Sequence, residues 1–386
     1  MEFKAQTFFT ISFFLIHCRS FLFNVSFHLF REMMVISTSE KAWEDVYQSS
    51  DTYTLKERQI TGSKFSSGSG SYYFINCDFN NLNSNSAGGA LYYSGASSST
   101  KVLFEETKFT ECHSSSMGGA IYYGSGGYFA LSKVCGYKCS TTGTSNNQFD
   151  AVTVGDDNIR YNNTINDTSI GYSLNDNNAG YTMEHYRGRI TIHSLNVSSN
   201  RCSRYSGIYC LMYVTFSFDS PGCRISFSSF VNNTCHTDYT CVHVYCSSSS
   251  YAIINNINVI RNVQYSTESY GTIYSNVNTR IIDSCVLDNV AARDFYAPSK
   301  LLTITNCTIN NSKATYGSVT IEYPPLQSFI NLLVHTQAEH CEARFDSAGD
   351  LIIMVSVPKG PRCKCTCKNM QAIEMYRYRR VHLSDT

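Results

Sequence analysis

The sequence predicts an all-β protein that folds as a parallel β-helix, and one repeated stretch carries most of this prediction. Between residues 72 and 127 a unit occurs twice, each time as an apolar run, an Asn/Ser-rich turn, a Gly-Gly pair and a second apolar run. Phe79 and Phe109 are 30 residues apart, as are the pairs Gly88-Gly89 and Gly118-Gly119. A matched spacing of this kind marks a repeated structural unit.

The units are predicted to be strands and turns, because no helical apolar period is long enough to connect parallel strands. Strands without a crossover helix lie in parallel when the chain winds as a coil and each turn pairs with the next, about 4.8 Å away. A β-sandwich is the alternative. It gives no reason for a 30-residue registration of Phe, Gly-Gly and Tyr-Tyr together.

Later in the chain the repeat continues in a looser form, in which an apolar residue is followed three positions later by Asn. The pairs are Val197 with Asn200, Phe230 with Asn233, Val259 with Asn262 and Val286 with Asn289, at steps of 33, 29 and 27 residues. We therefore predict about eight or nine coils between residues 40 and 323.

Each recurring residue type has an expected place in the coil. The recurring Phe, Val and Ile side chains point inward and stack on their equivalents one coil away. The recurring Asn is expected at a corner, where it tolerates left-handed backbone geometry and hydrogen-bonds to the Asn of the next coil. The Gly-Gly pair allows a tight bend that a side chain would block.

Three segments are predicted to lie outside the regular coils. Residues 1–30 carry an apolar run of signal-peptide length, with an uncleaved anchor or a misassigned start as the alternatives. Residues 155–180 are rich in Asn and Asp and are predicted as a loop insertion that leaves the stack. Residues 324–386 lose the periodicity and are predicted as a C-terminal cap or tail.

Composition favours an extracellular or cell-surface protein without a nucleic-acid partner. The net charge is zero, with 30 basic and 30 acidic residues, so the chain lacks the basic excess of nucleic-acid-binding domains. Seventeen cysteines favour disulfides and the secretory route. Acceptor sequences for N-glycosylation point the same way, and they begin at Asn162, Asn166, Asn196, Asn232, Asn306 and Asn310. No transmembrane helix is predicted beyond the leader.

The repeats resemble those of a family of surface proteins. Gly88-Gly89-Ala90-Leu91, Gly118-Gly119-Ala120-Ile121 and Phe230-Val231-Asn232-Asn233 are similar to the GGA-I and F-x-x-N repeats of chlamydial polymorphic outer-membrane proteins and related protist surface proteins. The resemblance covers about residues 72–321 and implies a right-handed, pectin-lyase-like β-helix at a cell surface, with a role in adhesion.

Two clusters were considered for chemistry, and neither is assigned a catalytic role, a metal or a cofactor. Asp156-Asp157 is similar to the paired carboxylates of pectin-hydrolysing enzymes, with Asp150, Arg187-Gly188-Arg189, His185 and His193 nearby in sequence. Turn-forming Asp residues in a polar loop are the ordinary explanation of the pair. A second cluster contains Cys235, His236, Cys241, His243 and Cys246, for which zinc, disulfides and buried thiols are the alternatives.

The predicted function is non-catalytic recognition of extracellular carbohydrate or a host-cell protein, with adhesion as the expected role. A polysaccharide lyase or glycoside hydrolase on the same fold, or a degenerate family member without activity, are the alternatives. The predicted binding residues are Tyr92, Tyr93, Tyr122 and Tyr123, because tyrosine offers apolar area and a hydroxyl at low entropic cost. Neighbouring residues of a strand face opposite ways, so one of each pair is expected in the core.

Overall fold

The chain folds as a parallel β-helix, which confirms the predicted fold class. The structure is a computed structural model. It describes residues 43–48, 53–60, 64–67, 70–95, 97–124, 126–143, 146–155, 161–174, 179–213, 220–237, 241–246, 250–265, 270–309, 316–322, 344–345 and 351–352. Asp156, Asp157 and Asn310, together with the predicted leader and most of the predicted tail, lie outside these residues.

The chain divides into two units, residues 1–51 with 369–386 and residues 52–368. In the first unit, residues 43–47 form a helix, and the ring of Trp43 packs edge-on against Tyr47 with centroids 4.7 Å apart. The strands described below belong to the second unit.

The strands of the first half of the chain are mostly short. They are β1 (Thr54–Ile60), β2 (Phe65–Ser67), β3 (Tyr72–Asn80), β4 (Asn83–Ser84), β5 (Leu91–Ser94), β6 (Lys101–Glu105), β7 (Lys108–Thr110), β8 (His113–Ser114), β9 (Ile121–Gly124), β10 (Tyr128–Ser132), β11 (Cys135–Tyr137), β12 (Ser140–Thr141), β13 (Asn146–Thr153), β14 (Asn162–Gly171), β15 (Ala179–Tyr186) and β16 (Arg189–Ser198).

The second half continues in the same way. Its strands are β17 (Arg201–Cys202), β18 (Tyr205–Met212), β19 (Cys223–Ser226), β20 (Ser229–Val231), β21 (Thr234–Cys235), β22 (Val242–Cys246), β23 (Tyr251–Asn255), β24 (Asn258–Ile260), β25 (Val263–Gln264), β26 (Ile273–Ser275), β27 (Asn278–Ile282), β28 (Cys285–Leu287), β29 (Phe295–Thr305), β30 (Thr308–Ile309), β31 (Tyr316–Glu322), β32 (Arg344–Phe345) and β33 (Leu351–Ile352).

Two long ladders of parallel strands form the coils. The first ladder runs through β1, β3, β6, β10, β14, β16, β19, β23, β27, β29 and β31, and β7, β11, β20, β24, β28 and β30 extend it sideways. The second ladder runs through β2, β5, β9, β13, β15, β18, β22, β26, β29 and β31. Two three-stranded parallel sheets, β4-β8-β12 and β17-β21-β25, form a third side. The last pair, β32 and β33, is antiparallel.

Successive coils of the first ladder share a nine-residue segment. In one coil it runs from Ile225 to Asn233, with Ile225 and Phe230 in the core and a left-handed bend at Phe227 (φ 51°) and at Asn232 (φ 56°). Bends recur at the first position in Asn76, Glu106, Lys133, Asp167, Ser194, Phe227, Asn256, Asp283 and Asn306, and at the second in Asn81, Glu111, Lys138, Tyr172, Ser199, Asn232, Arg261 and Asp288. This segment is the constant part of the coil.

The recurring Asn does not itself adopt left-handed geometry, so that part of the prediction is wrong. The left-handed residue precedes it, as Asn232 precedes Asn233. Asn233 is fully buried, its Nδ2 donates to Val197 O at 2.8 Å and to Asn262 Oδ1 at 3.0 Å, and its Oδ1 accepts from Asn200. The bend is placed one residue earlier because the amide must turn inward to make these bonds.

The predicted loop at residues 155–180 is also wrong for its central ten residues. Residues 162–171 form β14, which pairs with β10 on one side and with β16 on the other. Ile165 and Ile170 keep the inward positions of the coil, and buried Asn163 finds a hydrogen-bond partner in the core. The polar composition therefore hid a regular strand, because most of its Asn and Asp side chains lie between the inward positions.

The Gly-Gly pairs lie where the backbone approaches itself. Gly88 and Gly118 have φ of +68° and +65°, a conformation that side chains rarely allow. At Gly119 an added Cβ would lie 1.9 Å from Gln148 O, and at Gly89 it would lie 2.1 Å from Gly119 O. The first glycine of each pair is thus needed for its backbone conformation, and the second because a Cβ atom would have no space.

Candidate functional site

One outward-facing residue from each strand of the second ladder lies in register with the next. We call this row the tyrosine column, and it consists of Ser66, Tyr92, Tyr122, Ala151, Glu184, Tyr209, His243, Tyr274, Tyr296 and Tyr316. The neighbours of a column residue in its strand belong to the core, as Val242 and Val244 do on either side of His243. Side chains alternate along a strand, so the column faces outward.

The rings of the column form stacks. Tyr92 and Tyr122 stack with centroids 5.4 Å apart and planes 12° from parallel. Farther along, Tyr274 and Tyr296 are 5.4 Å apart at 16°, and Tyr296 and Tyr316 are 4.8 Å apart at 10°. Tyr316 is exposed and Tyr92, Tyr122 and Tyr296 are half-buried, whereas Tyr274 is only 9% exposed.

The column therefore includes Tyr92 and Tyr122, two of the four predicted binding tyrosines, which are half-buried. The other two, Tyr93 and Tyr123, are fully buried in the core. Their hydroxyl groups donate to the backbone carbonyls of Gly70 and Gly126. As ligand-contacting residues they were predicted wrongly, because the strand alternation turns them inward.

Two aromatic stacks meet at His243 with different orientations. On one side the imidazole stacks on Tyr274, with centroids 4.1 Å apart and planes at 24°. On the other side it meets Tyr209 at 4.8 Å and 89° and Tyr205 at 4.9 Å and 76°. Tyr205 and Tyr209 are stacked on each other at 15°. The orientation of the ring planes along the column therefore changes at His243.

The ring nitrogens of His243 also lack hydrogen-bond partners among the described residues. The residue is only 5% exposed, yet neither Nδ1 nor Nε2 has a hydrogen-bond partner among the described residues. Burial lowers the pKa of His243 to about 3, so the ring is neutral near pH 7. A neutral imidazole has one N–H donor and one acceptor, and leaving both unmade in a buried place costs about 1–3 kcal/mol for each group.

The only carboxylate of the column is held by an amide. Asn147 Nδ2 donates to Glu184 Oε2 at 2.7 Å, and burial raises the pKa of Glu184. Glu184 separates the Tyr92–Tyr122 stack from the longer aromatic run that begins at Tyr209. The middle of the column therefore contains a polar side chain, Glu184, which already has a hydrogen-bond partner within the chain.

Behind Glu184 the core contains a polar cluster. His185 Nε2 lies 3.1 Å from Asp150 Oδ2, and its Nδ1 lies 2.6 Å from Asn163 Oδ1. Asp150, Asn163 and His185 are all fully buried. This cluster joins the two ladders across the core.

Of the described residues considered for polysaccharide cleavage, only Asp150 and His185 lie together. Asp150 and His185 lie in the core, whereas His193 is exposed on β16, 5.1 Å from the ring of Phe227. Arg189 Nη2 donates to Ser220 at 2.8 Å. The described part of the chain therefore brings together no set of carboxylate, His and Arg groups on its surface.

The candidate zinc cluster is also dispersed. Cys241 and Cys246 belong to the hydrophobic core, while His243 faces outward in the tyrosine column. Among the described residues no three His, Cys, Asp or Glu side chains are grouped closely enough to hold a metal ion. Buried free thiols are found at Cys112, Cys139, Cys202, Cys210, Cys223, Cys241 and Cys307. For these residues the disulfide prediction is wrong, because they serve as apolar core side chains.

The glycosylation candidates differ in exposure. Asn232 and Asn306 are exposed at left-handed bends, although Asn306 Nδ2 donates to Asp283 Oδ1 at 2.6 Å. Asn162 and Asn166 are half-buried in β14. Asn196 is only 9% exposed, which leaves little room for a glycan on its amide. Asn232 is therefore the best placed of the described candidates.

The sequence reasoning missed the longer aromatic run, although a signal was present. Tyr209 follows Ile208 and Tyr274 follows Ile273, just as Tyr122 follows Ile121 in the Gly-Gly repeat. Strand pairing aligns these tyrosines in one column. His243 could not be found in this way, because it follows a Val and is not a Tyr. Its place in the column becomes visible only when the strand register is known.

Within the described residues, no helix has both the length and the apolar character needed to cross a membrane. No protein-family model, curated protein or solved structure matches this chain.

Proposed function

We propose that this protein is a non-catalytic recognition protein, secreted or displayed at a cell surface, which binds carbohydrate or another protein through the tyrosine column. The observation that carries the proposal is the alignment of Tyr209, His243, Tyr274, Tyr296 and Tyr316 in adjacent strands, where Tyr209 and Tyr296 are half-buried and Tyr316 is exposed. Aromatic side chains with polar tips supply much of the binding energy at recognition surfaces.

The shape of the column supports binding that is spread over several coils. Each strand contributes one residue, and adjacent parallel strands lie about 4.8 Å apart. Each contact is then modest, and affinity comes from the number of coils that the partner touches. The resemblance of the repeats to adhesion proteins fits this mode of binding.

The test replaces two tyrosines of the column and compares them with one outside it. In the variant Tyr296→Ser/Tyr316→Ser, we expect binding to host cells and to a glycan array to fall about tenfold or more, since two aromatic contacts are lost. The control is Tyr137→Ser, which removes a half-buried tyrosine of the first ladder. Thermal stability is measured for each variant, so that loss of fold is distinguished from loss of contact.

Two outcomes would contradict the proposal. One is unchanged binding by a stably folded Tyr296→Ser/Tyr316→Ser variant. The other is cleavage of polyuronates by the purified protein that Asp156→Asn with Asp157→Asn abolishes, since it would make the protein an enzyme. Labelling of intact cells tests the proposed location, and protein recovered only from cytosol would overturn it.

A further inference from the structure

The C-terminal end of the tyrosine column presents two stacked phenol rings to the outside. Tyr296 and Tyr316 are register partners in β29 and β31, and their rings lie 4.8 Å apart with planes 10° from parallel. Tyr316 is 49% exposed and Tyr296 is half-buried, whereas Tyr274, the next ring of the column, is only 9% exposed. The pair therefore combines close contact between two tyrosine rings with access from solution.

Two neighbouring side chains restrain this pair of rings. The ring of Tyr270 meets that of Tyr296 edge to face, with centroids 5.2 Å apart and planes at 85°. The guanidinium of Arg293 lies 5.8 Å from the ring of Tyr296 and 5.1 Å from that of Tyr316. A guanidinium at such a distance is attracted to the face of an aromatic ring. Strand pairing and these contacts together keep the two phenols side by side.

Two adjacent phenol rings are the reactants of oxidative coupling. A haem peroxidase that has been oxidised by hydrogen peroxide removes one electron and one proton from a phenol, which leaves a phenoxyl radical. Two such radicals join through a new bond between carbons ortho to the oxygens, and the hydrogens on those carbons then move to the oxygens. Two tyrosines and one hydrogen peroxide thus give one dityrosine and two waters.

Only the exposed ring of the pair has to meet the oxidant. Once Tyr316 is a radical, an electron passes to it from the ring of Tyr296, 4.8 Å away, while water takes the proton of one phenol and returns a proton to the other. A second oxidation at Tyr316 then completes the radical pair. Well-oriented reactants within one molecule reach effective concentrations of about 10⁵ M or more, so in dilute solution coupling within the chain outruns coupling between chains.

We propose that Tyr296 and Tyr316 form a site of oxidative modification, at which a haem peroxidase using hydrogen peroxide couples the two rings into a dityrosine cross-link between successive coils. The link joins β29 to β31, the last strand of both ladders in the described residues, and restricts local opening there as a disulfide does. This inference goes beyond the recognition function and does not depend on it.

The other end of the column offers a less reactive pair. Tyr92 and Tyr122 are stacked with centroids 5.4 Å apart and planes 12° from parallel, but both are half-buried. We therefore expect them to couple more slowly than Tyr296 and Tyr316. Tyr93 and Tyr123 are fully buried and donate their hydroxyl hydrogens to backbone carbonyls, so they are not expected to react.

Peptide mapping of the full chain tests the proposal. Dilute protein is treated with a haem peroxidase and limiting hydrogen peroxide, and the monomer is isolated by gel filtration. Trypsin cleaves after Arg293, Lys300 and Lys313, so Tyr296 and Tyr316 fall in separate peptides. We expect a joined peptide whose mass is lower than the sum of the two by two hydrogen atoms. Fragmentation of this product locates the bond at Tyr316.

The decisive variant is Tyr316→Phe, which keeps the stacked ring and removes the phenol. It should abolish the joined peptide and lower the dityrosine fluorescence of the monomer by more than half, with little change in melting temperature. The control is Tyr265→Phe. Tyr265 is 64% exposed, but its ring stacks on His236, with centroids 5.3 Å apart and planes at 25°. This variant should form the cross-link as the parent does.

Several results would overturn the inference. Dityrosine found only between chains would show that the stacked pair does not couple, and so would an unchanged yield in Tyr316→Phe. An equal loss in Tyr265→Phe would show that exposure alone decides which tyrosine reacts. Binding assays without peroxide keep the recognition function separate. Unchanged binding by Tyr296→Ser/Tyr316→Ser contradicts that function and leaves the measured cross-link as it is.

Discussion

Early and late coils of this β-helix build the same nine-residue segment from different side chains. In the early coils, Phe74 stacks on Phe104 at 4.5 Å and 10°, and Phe79 stacks on Phe109 at 4.8 Å and 4°. In the late coils the core residues at these positions are mainly Val and Ile, and Phe230 lies between Val197 and Val259. One backbone geometry is thus compatible with a stack of rings or with a stack of aliphatic chains.

The corner after the second bend shows the same contrast. Late coils place Asn200, Asn233, Asn262 and Asn289 there, each joined to the next by an amide hydrogen bond. Early coils place Leu82, Cys112 and Cys139 at the equivalent positions. The thiol of Cys112 donates to Phe79 O at 3.4 Å, as Asn233 Nδ2 donates to Val197 O. The carbonyl inside the coil needs a donor, and the neighbouring coil supplies whichever one its sequence contains.

The largest expected effect comes from breaking the ring stack. Phe109→Ala should lower the free energy of unfolding by about 3–5 kcal/mol, because a fully buried phenyl ring is removed. Phe230→Ala is the matched change in the same core row, and it should cost about 1 kcal/mol less because Phe230 lacks a stacked ring partner in its row. Urea unfolding followed by circular dichroism measures both. Equal costs would show that ring stacking adds nothing here.

The next effect comes from breaking the amide ladder. Asn233→Ala should cost about 2–3 kcal/mol, since Val197 O and the amide of Asn200 lose their partners in the core. Cys139→Ala removes only a weak thiol donor to Phe109 O and should cost about 1 kcal/mol. Thermal unfolding of both variants provides the comparison. A cost at Cys139 that equals the one at Asn233 would mean that thiol and amide corners are energetically alike.

These contrasts also show what the sequence could predict. The 30-residue spacing of Phe79 and Phe109 was enough for the coil fold, because a buried row needs the same residue at each turn. Asn233 was placed correctly in a ladder for the same reason. The left-handed bends were missed, since residues as different as Phe227 and Asn232 occupy them and share only an exposed position.

The site was less predictable than the fold, because register depends on every connection in the chain. Residues 162–171 looked like a loop, so the coils on either side could not be aligned from sequence. Once β14 is in place, Glu184, Tyr209 and His243 become neighbours. Tyr92 and Tyr122 were found because they fall within the intact repeat. His243 could not be found from the sequence, because the lack of hydrogen-bond partners for its ring nitrogens shows only when the surrounding side chains are placed.

A smaller effect concerns the early coils at different pH. Burial raises the pKa of Glu105 to about 7, and the carboxyl is hydrogen-bonded by the hydroxyl of Tyr73. A folded pKa above the unfolded value means that protonation stabilises the fold. This contribution is complete below pH about 4.5 and is lost as pH rises through about 7.

Glu105→Gln should therefore abolish part of the loss of stability between pH 5 and 8, and the variant should melt at a higher temperature than the parent at pH 8. Glu111→Gln is the control, because that side chain is 46% exposed and pairs with Lys138 at 3.6 Å. Melting temperatures across the pH range provide the measurement. Parallel pH profiles of the parent and Glu105→Gln would refute the shift.

The last expected change is in thiol chemistry. Burial raises the pKa of Cys307 to about 11, and the neighbouring Cys139 thiol together with burial raises the pKa of Cys112. Both should react with iodoacetamide at pH 8 roughly 100-fold more slowly in the folded protein than in urea. Mass spectrometry of labelled peptides measures this. Rapid labelling of the native protein would show that the core opens, in early coils at Cys112 or in late coils at Cys307.

The constant nine-residue segment has a consequence for insertions. All variation in coil length falls outside it, in connections such as the short one from Tyr186 to Arg189 and the long one from Met212 to Cys223. Each doubling of a flexible connection costs only about 0.6 kcal/mol in closure entropy. Such connections are therefore places where a foreign epitope could be grafted without disturbing the coils, which would make the protein a scaffold for peptide display.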